Sequence, residues 1–244
     1  MSHSTATVAG QHDEQHLVAH HFENLEQQRE VNSLGMWLFL ASEILFFGGV
    51  FTAYAMLRYR TPDAFTEGSA RLNAVVGGIN TAVLLTSSLT MALAVWSGQM
   101  GNRRLLQLFL GLTLVFGTAF LVFKGFEWYH EYEAGLVPGN ILGSTFGKDH
   151  HGDPLLERDG KTVMPSEKVK TMQMFFIFYF SITGLHALHM IVGLAVLGIQ
   201  LYFAMTYAGF GTADWGPIEI SGLYWHFVDV VWIFVFPLLY LMRN

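Results

Sequence analysis

The amino-acid sequence predicts an all-α integral membrane protein, a bundle of five transmembrane helices with one long extramembrane loop. Three observations carry that prediction. Apolar residues make up 52% of the 244 positions and charged residues only 13%. Five separate apolar runs are present, each long enough as a helix to cross about 30 Å of hydrocarbon. Aromatic residues, 15% of the chain, gather toward the ends of those runs, where interfacial anchors sit. The same composition excludes other classes. With no cysteine there is no disulfide, iron–sulfur cluster or thiolate metal site. A formal net charge of -6 leaves no basic footprint for nucleic acid.

Residues 1–32 read as a polar, His-rich N-terminal tail, and residues 33–244 as the five-helix membrane domain. The tail lacks the apolar core that a cleavable signal peptide needs. His12, His16 and His20 recur every fourth residue, but a solvated tail explains them more simply than a metal site does.

The first span runs from about Leu34 to Leu57 and holds Glu43 deep inside the apolar run. An ionised carboxylate there is costly, so Glu43 is either a functional acid or a buried group bonded to a neighbouring helix. Arg58, Arg60, Pro62 and Arg71 lie in a short polar loop. The second span, about Leu72 to Trp96, is rich in small and hydroxyl residues that suit close helix packing. The third runs from about Leu105 to His130. Near its end Lys124, Glu127, His130 and Glu131 share one helical side, with Lys124–Glu127 a natural ion pair. A polar helix end at the headgroups accounts for that cluster as well as a site does.

Residues 133–171 form the one sizeable extramembrane loop. Asp159-Gly160 between short mixed runs predicts a β-hairpin, and His150, His151 and Asp153 read as solvated loop residues rather than metal ligands. The fourth span, about Met172 to Tyr207, is long for one crossing. Its His186 and His189 sit three apart. The fifth begins near Gly222 and carries His226 and Asp229, again three apart, so that they meet each other or a shared partner.

Membrane histidines raise the question of a redox centre. Only His186, His189 and His226 fall within the spans. A heme–copper core needs more imidazoles than three. One bis-histidine b-type heme, for example between His189 and His226, stays arithmetically open. A proton-coupled transporter using Glu43 and the His/Asp faces also stays open, although no internal repeat or broken-helix pair supports it. On residues alone the chain reads as a non-catalytic partner in a membrane complex.

The segment Tyr224-Trp225-His226-Phe227-Val228-Asp229-Val230-Val231-Trp232 resembles the signature of subunit III of the heme-copper respiratory oxidases, the cytochrome c oxidase type. The likeness continues at Thr183-Gly184-Leu185-His186-Ala187-Leu188-His189, at Ser42-Glu43-Ile44-Leu45-Phe46-Phe47-Gly48-Gly49, at Leu72 through Asn80-Thr81 to Ser88, and at Glu127-Trp128-Tyr129. It covers all five spans, in the short form that lacks the family's first two helices. The resemblance implies a non-catalytic subunit with no redox cofactor of its own, the hemes and copper residing in partner subunits. It implies docking on the catalytic subunit I, bound phospholipid, and support of proton uptake in aerobic respiration. Glu43 falls on the family's mid-membrane glutamate, Glu127 on the acid ending its third helix, and His186, His189, His226 and Asp229 on its motif polar positions. A quinol oxidase subunit III and a nitric oxide reductase accessory subunit are the related alternatives. The loop 133–171 is longer than the common pattern, which points to an additional subunit or the electron donor as its contact.

The short form fits a prokaryotic plasma membrane. The resemblance puts the N-terminus in the cytoplasm and the C-terminus outside. That leaves Arg29, Arg103 and Arg104 inside against nine Lys and Arg outside, so the positive-inside rule favours the reverse.

Overall fold

A computed structural model describes residues 25–139, 146–148, 152–156, 161–207, 210–211 and 215–242. Its helices are α1 (Leu25–Arg60), α2 (Pro62–Arg71), α3 (Ala74–Gln99), α4 (Arg103–Glu133), α5 (Ser166–Thr206) and α6 (Gly216–Tyr240). All but α2 are long and apolar enough to cross a membrane. The five expected spans are therefore present, and no strand is formed among the described residues.

The helix ends follow from local chemistry. Asn73 caps α3, its Oδ1 accepting from the amides of Val75 and Val76 at 3.1 and 3.3 Å. Asn102 does the same for α4 through Leu105 N–H. The stretch expected to be a loop after the first span is instead α2, with Pro62 in its first turn and Asp63 toward the positive end of the helix dipole. Phe65 anchors that helix against Tyr54 and Phe175. α1 begins at Leu25, so 25–32 belong to a helix rather than to the polar tail; the histidines of the tail lie outside the described residues. α5, at 41 residues, is about 60 Å long, twice the hydrocarbon thickness, and so projects beyond it.

Where a β-hairpin is expected, an antiparallel bridge joins Leu156 to Val163. The Asp159-Gly160 turn lies outside the described residues, as do His150 and His151. Backbone bonds from Gly147 to Gly135, Leu155 to Gly147 and Met164 to Leu155 chain this loop together. Leu136, Leu155 and Met164 are buried beneath it in the same core as Phe175 and Phe176.

α3, α4, α5 and α6 close into an antiparallel ring, each packed on the next and α6 back on α3. α1 stands outside the ring, resting on α6 and α2. The ring closes tightly on α6 because glycines of α4 and α5 face its Trp225 indole. A Cβ at Gly117 would lie 2.8 Å from Trp225, and one at Gly193 would lie 2.9 Å from the same ring. Trp225 Nε1 donates to Ser87 Oγ at 3.2 Å and completes the wedge. Gly193→Ala is expected to overpack this wedge by about 1–3 kcal/mol. Gly198→Ala, where a Cβ meets nothing within 4 Å, is the matched control on the same helix. Thermal midpoints of the purified variants in one detergent check the pair; equal midpoints would refute the wedge.

Candidate functional site

The charged residues of α4 form the most buried polar cluster. Lys124 lies about nine residues, roughly 13 Å, before the end of its helix and is 2% exposed. Its Nζ donates to Tyr179 Oη at 3.1 Å and Tyr240 Oη at 2.5 Å, and lies 3.3 Å from Glu127 Oε2. Both phenols pass their own protons to Glu127 Oε1, Tyr179 at 2.8 Å and Tyr240 by a shorter bond. All three ammonium protons therefore have acceptors, and both carboxylate oxygens have donors. Nζ also sits 4.7 Å from the Tyr179 ring centre and 5.2 Å from those of Tyr240 and Trp232.

The helix end expected to be polar is turned into the bundle. The Lys124–Glu127 pair is present, but it faces the ring and binds α5 and α6. Glu131, one turn on and 4% exposed, lies within electrostatic reach of Lys124 and of Arg71. Arg71 in turn donates to the Leu156 carbonyl at 2.7 Å, so the cluster leads out to the extramembrane loop.

A second polar group lies between α1 and the ring. Glu43 Oε2 and His189 Nε2 are 3.2 Å apart, each side chain about one-fifth exposed or less. His189 Nδ1 is 2.8 Å from the Leu185 carbonyl, which only accepts, so Nδ1 carries a proton. The Glu43 bond then holds a single proton, carried by the imidazole or by the carboxyl. Tyr224 donates to the backbone carbonyl of His189 at 3.0 Å, and Phe47 covers the imidazole at 5.4 Å. Beside this group an apolar groove of about 350 Å³ runs between α1 and α6, lined by Ile44, Phe47, Phe51, Phe227, Val230 and Phe234.

His226 and Asp229 do not meet. His226 Nδ1 bonds Ser88 Oγ of α3 at 2.7 Å. Asp229 lies between Trp225 and Trp232 on the inward stripe of α6 and has no hydrogen bond to either oxygen. His186 is likewise inward, packed on Phe120 and Trp232, whereas His189 turns to α1. Three residues on a helix differ by about 60° in direction, enough to send each member of a pair to a different neighbour. Among the described residues no three His, Asp or Glu come together as a metal-binding group. His189 spends both ring nitrogens on protein atoms, which argues against the bis-histidine heme. Tyr179 and Tyr240 are the site residues that sequence reasoning missed; they lie 55 and 116 positions from Lys124.

Glu43→Gln keeps the size of the side chain and a donor for His189, so the chain is expected to assemble with a change within about 1 kcal/mol. Glu43→Ala is expected to fold nearly as well, since each side chain of the pair keeps some exposure. Yield and thermal midpoint of the purified variants in one detergent check both, and a large loss in either would mean that the bond to His189 holds α1 in place.

Comparison with known proteins points one way. The family model for cytochrome c oxidase subunit III matches residues 171–243. The chain is 30% identical over 239 residues to cytochrome c oxidase subunit 3 of Alkalihalophilus pseudofirmus, covering 96% of this chain and 98% of that one. It is 29% identical over 213 residues to the cytochrome c oxidase subunit 3 of a Synechocystis species, covering 87% and 76%. It is also 27% identical over 239 residues to the cytochrome bo(3) ubiquinol oxidase subunit 3 of Pseudomonas aeruginosa, covering 98% of each.

Proposed function

Because the chain belongs to the cytochrome c oxidase subunit III family, we propose a finer role for it as the non-catalytic, lipid-holding subunit of a proton-pumping oxidase. It is a subunit of a heme-copper oxidase and an integral protein of a bacterial-type plasma membrane. In the proposed role it packs on the catalytic subunit I, which holds the hemes and copper, and supports proton uptake and catalytic lifetime there. The observation that carries this reading is the likeness over 98% of a cytochrome c oxidase subunit 3. The exposed apolar face of α1, with Leu38 and Leu45 turned outward, supports a helix-to-helix contact with another subunit. The groove between α1 and α6 is apolar along its length and suits an acyl chain of a phospholipid. Glu43 and His189, with one proton in their bond, supply an acid–base pair at mid-membrane depth.

Cytochrome c is the proposed electron donor. A quinol donor is the second reading, favoured by the full-length match to a ubiquinol oxidase subunit 3. Mild-detergent purification of the tagged chain tests the role. A co-purifying multi-helix protein that keeps all the heme when the two are separated supports it, and a lone chain carrying its own Soret band refutes it. Oxygen consumption by that complex with reduced cytochrome c or with a quinol then separates the donors.

The proposed orientation has the N-terminus in the cytoplasm. The chain has no cysteine, so one introduced at Lys161 and another at Arg104 report the two sides cleanly. An impermeant maleimide added to intact cells is expected to label the first and spare the second.

A further inference from the structure

We propose that Asp229 and His186 line an internal water site inside the ring of α3 to α6. Three residues of α6 point into that ring in succession: Trp225, Asp229 and Trp232, spaced four and three apart and all at most 2% exposed. The two indoles mark the layers above and below Asp229. Trp225 touches Gly117 of α4, Gly193 of α5 and Ser87 of α3. Trp232 meets Phe120 of α4 at 4.8 Å, His186 of α5 at 4.9 Å and, through Nε1, Thr81 of α3 at 3.0 Å. Asp229 is thus held within a helical turn of His186's layer, on the same inward face of the ring.

No protein atom hydrogen-bonds either oxygen of Asp229 or either ring nitrogen of His186, and Asn80 Oδ1, next to Thr81, is also without a donor. The nearby polar groups are committed elsewhere. Lys124, over the Trp232 ring, has given its three protons to Tyr179, Tyr240 and Glu127. Ser88 lies beside the Asp229 carboxyl and shares a 2.7 Å bond with His226 Nδ1, while neither Asp229 oxygen meets a protein donor in hydrogen-bonding geometry. Buried polar groups are nearly always hydrogen-bonded, to protein or to ordered water. Of these five orphan atoms, the two of His186 lie against the Trp232 indole, the two of Asp229 belong to the residue three before it on α6, and that of Asn80 to the residue next to its partner Thr81.

The chemistry of the set selects the ligand. A neutral imidazole offers one donor and one acceptor, a carboxyl offers acceptors with or without a donor, and an amide oxygen only accepts. A cation would satisfy the carboxylate and the bare imidazole nitrogen but leave the imidazole N–H without an acceptor; an anion would take the N–H but be repelled by the carboxylate. Water both donates and accepts, and one molecule makes about three such bonds in a buried site. One or two waters span the turn of about 4.5 Å that separates residues 229 and 232 along α6. The site is distinct from the closed Lys124–Glu127 network, in which no donor is spare.

The test uses the intact oxidase complex that carries the chain. A cryo-electron microscopy map fine enough to show waters is expected to place a peak within hydrogen-bond distance of Asp229, linked directly or through a second peak to His186. An infrared spectrum taken in H2-18O is expected to shift an O–H band that Asp229→Asn retains and that both Asp229→Leu and His186→Phe lose. The His186 variant keeps the test decisive where the Asp229 change impairs assembly. A map in which both side chains pair with protein groups and no such peak is present would overturn the proposal. So would an isotope-sensitive band that survives both apolar substitutions.

Discussion

Lys124→Met is expected to cost the subunit about 3–5 kcal/mol, the penalty for removing one member of a buried ion pair and leaving the other uncompensated. The side chain fits, since Met fills much the same volume, so the loss isolates the charge. What is left behind is Glu127 among Tyr179 and Tyr240, buried in the ring with no cation beside it. A membrane complex is expected to shed such a subunit, and co-purification yield with the catalytic subunits measures it. The double variant Lys124→Met/Glu127→Gln removes both charges and keeps an acceptor for the phenols. It is expected to recover most of the loss, with a coupling of about 2 kcal/mol or more in the double-mutant cycle. Additive losses would mean that the pair is not the source of the effect. Full retention of the single variant would mean that the cluster is peripheral to assembly.

Trp232→Ala is expected to have an effect of the same size by a different route. The indole touches three helices and supplies one face to the Lys124 ammonium. Truncating a buried Trp typically costs about 3–5 kcal/mol, through lost transfer energy and the cavity left behind. Trp232→Phe restores part of the volume but not the bond to Thr81, so it is expected to fall between the two. Thr81→Val on the wild-type background removes the acceptor alone and is expected to cost about 1 kcal/mol. Thermal midpoints in a single detergent rank the four proteins, and a Trp232→Ala protein as stable as wild type would contradict the hub.

The number and order of the spans were legible because hydrocarbon demands length and apolarity, and both are written directly in the chain. The individual site residues were legible as types but not as partnerships. Glu43 announced itself by its depth in the first span, yet only the packing of α1 reveals His189 as its partner. Lys124 and Glu127 were legible as a pair from their spacing of three. Their inward direction was not, because it depends on Tyr179 and Tyr240 arriving from two other helices. The spacing of His226 and Asp229 suggested a meeting that the rotation of the helix does not give. α2 was hidden for another reason: ten residues of mixed polarity carry too weak a pattern to read as a helix until Phe65 finds Tyr54 and Phe175.

The connectivity of the ring also sets a timetable for its making. A ribosome delivers α4 to the bilayer with Lys124 and Glu127 already in place, and α5 brings the first phenol soon after. The second phenol, and the indole that lies under the ammonium, wait for α6. Until that last segment leaves the translocon, a charged pair sits in the membrane with only part of its partners. Completion of the ring supplies the missing phenol and indole. A chain that ends before α6 therefore keeps its buried charge without Tyr240 and Trp232.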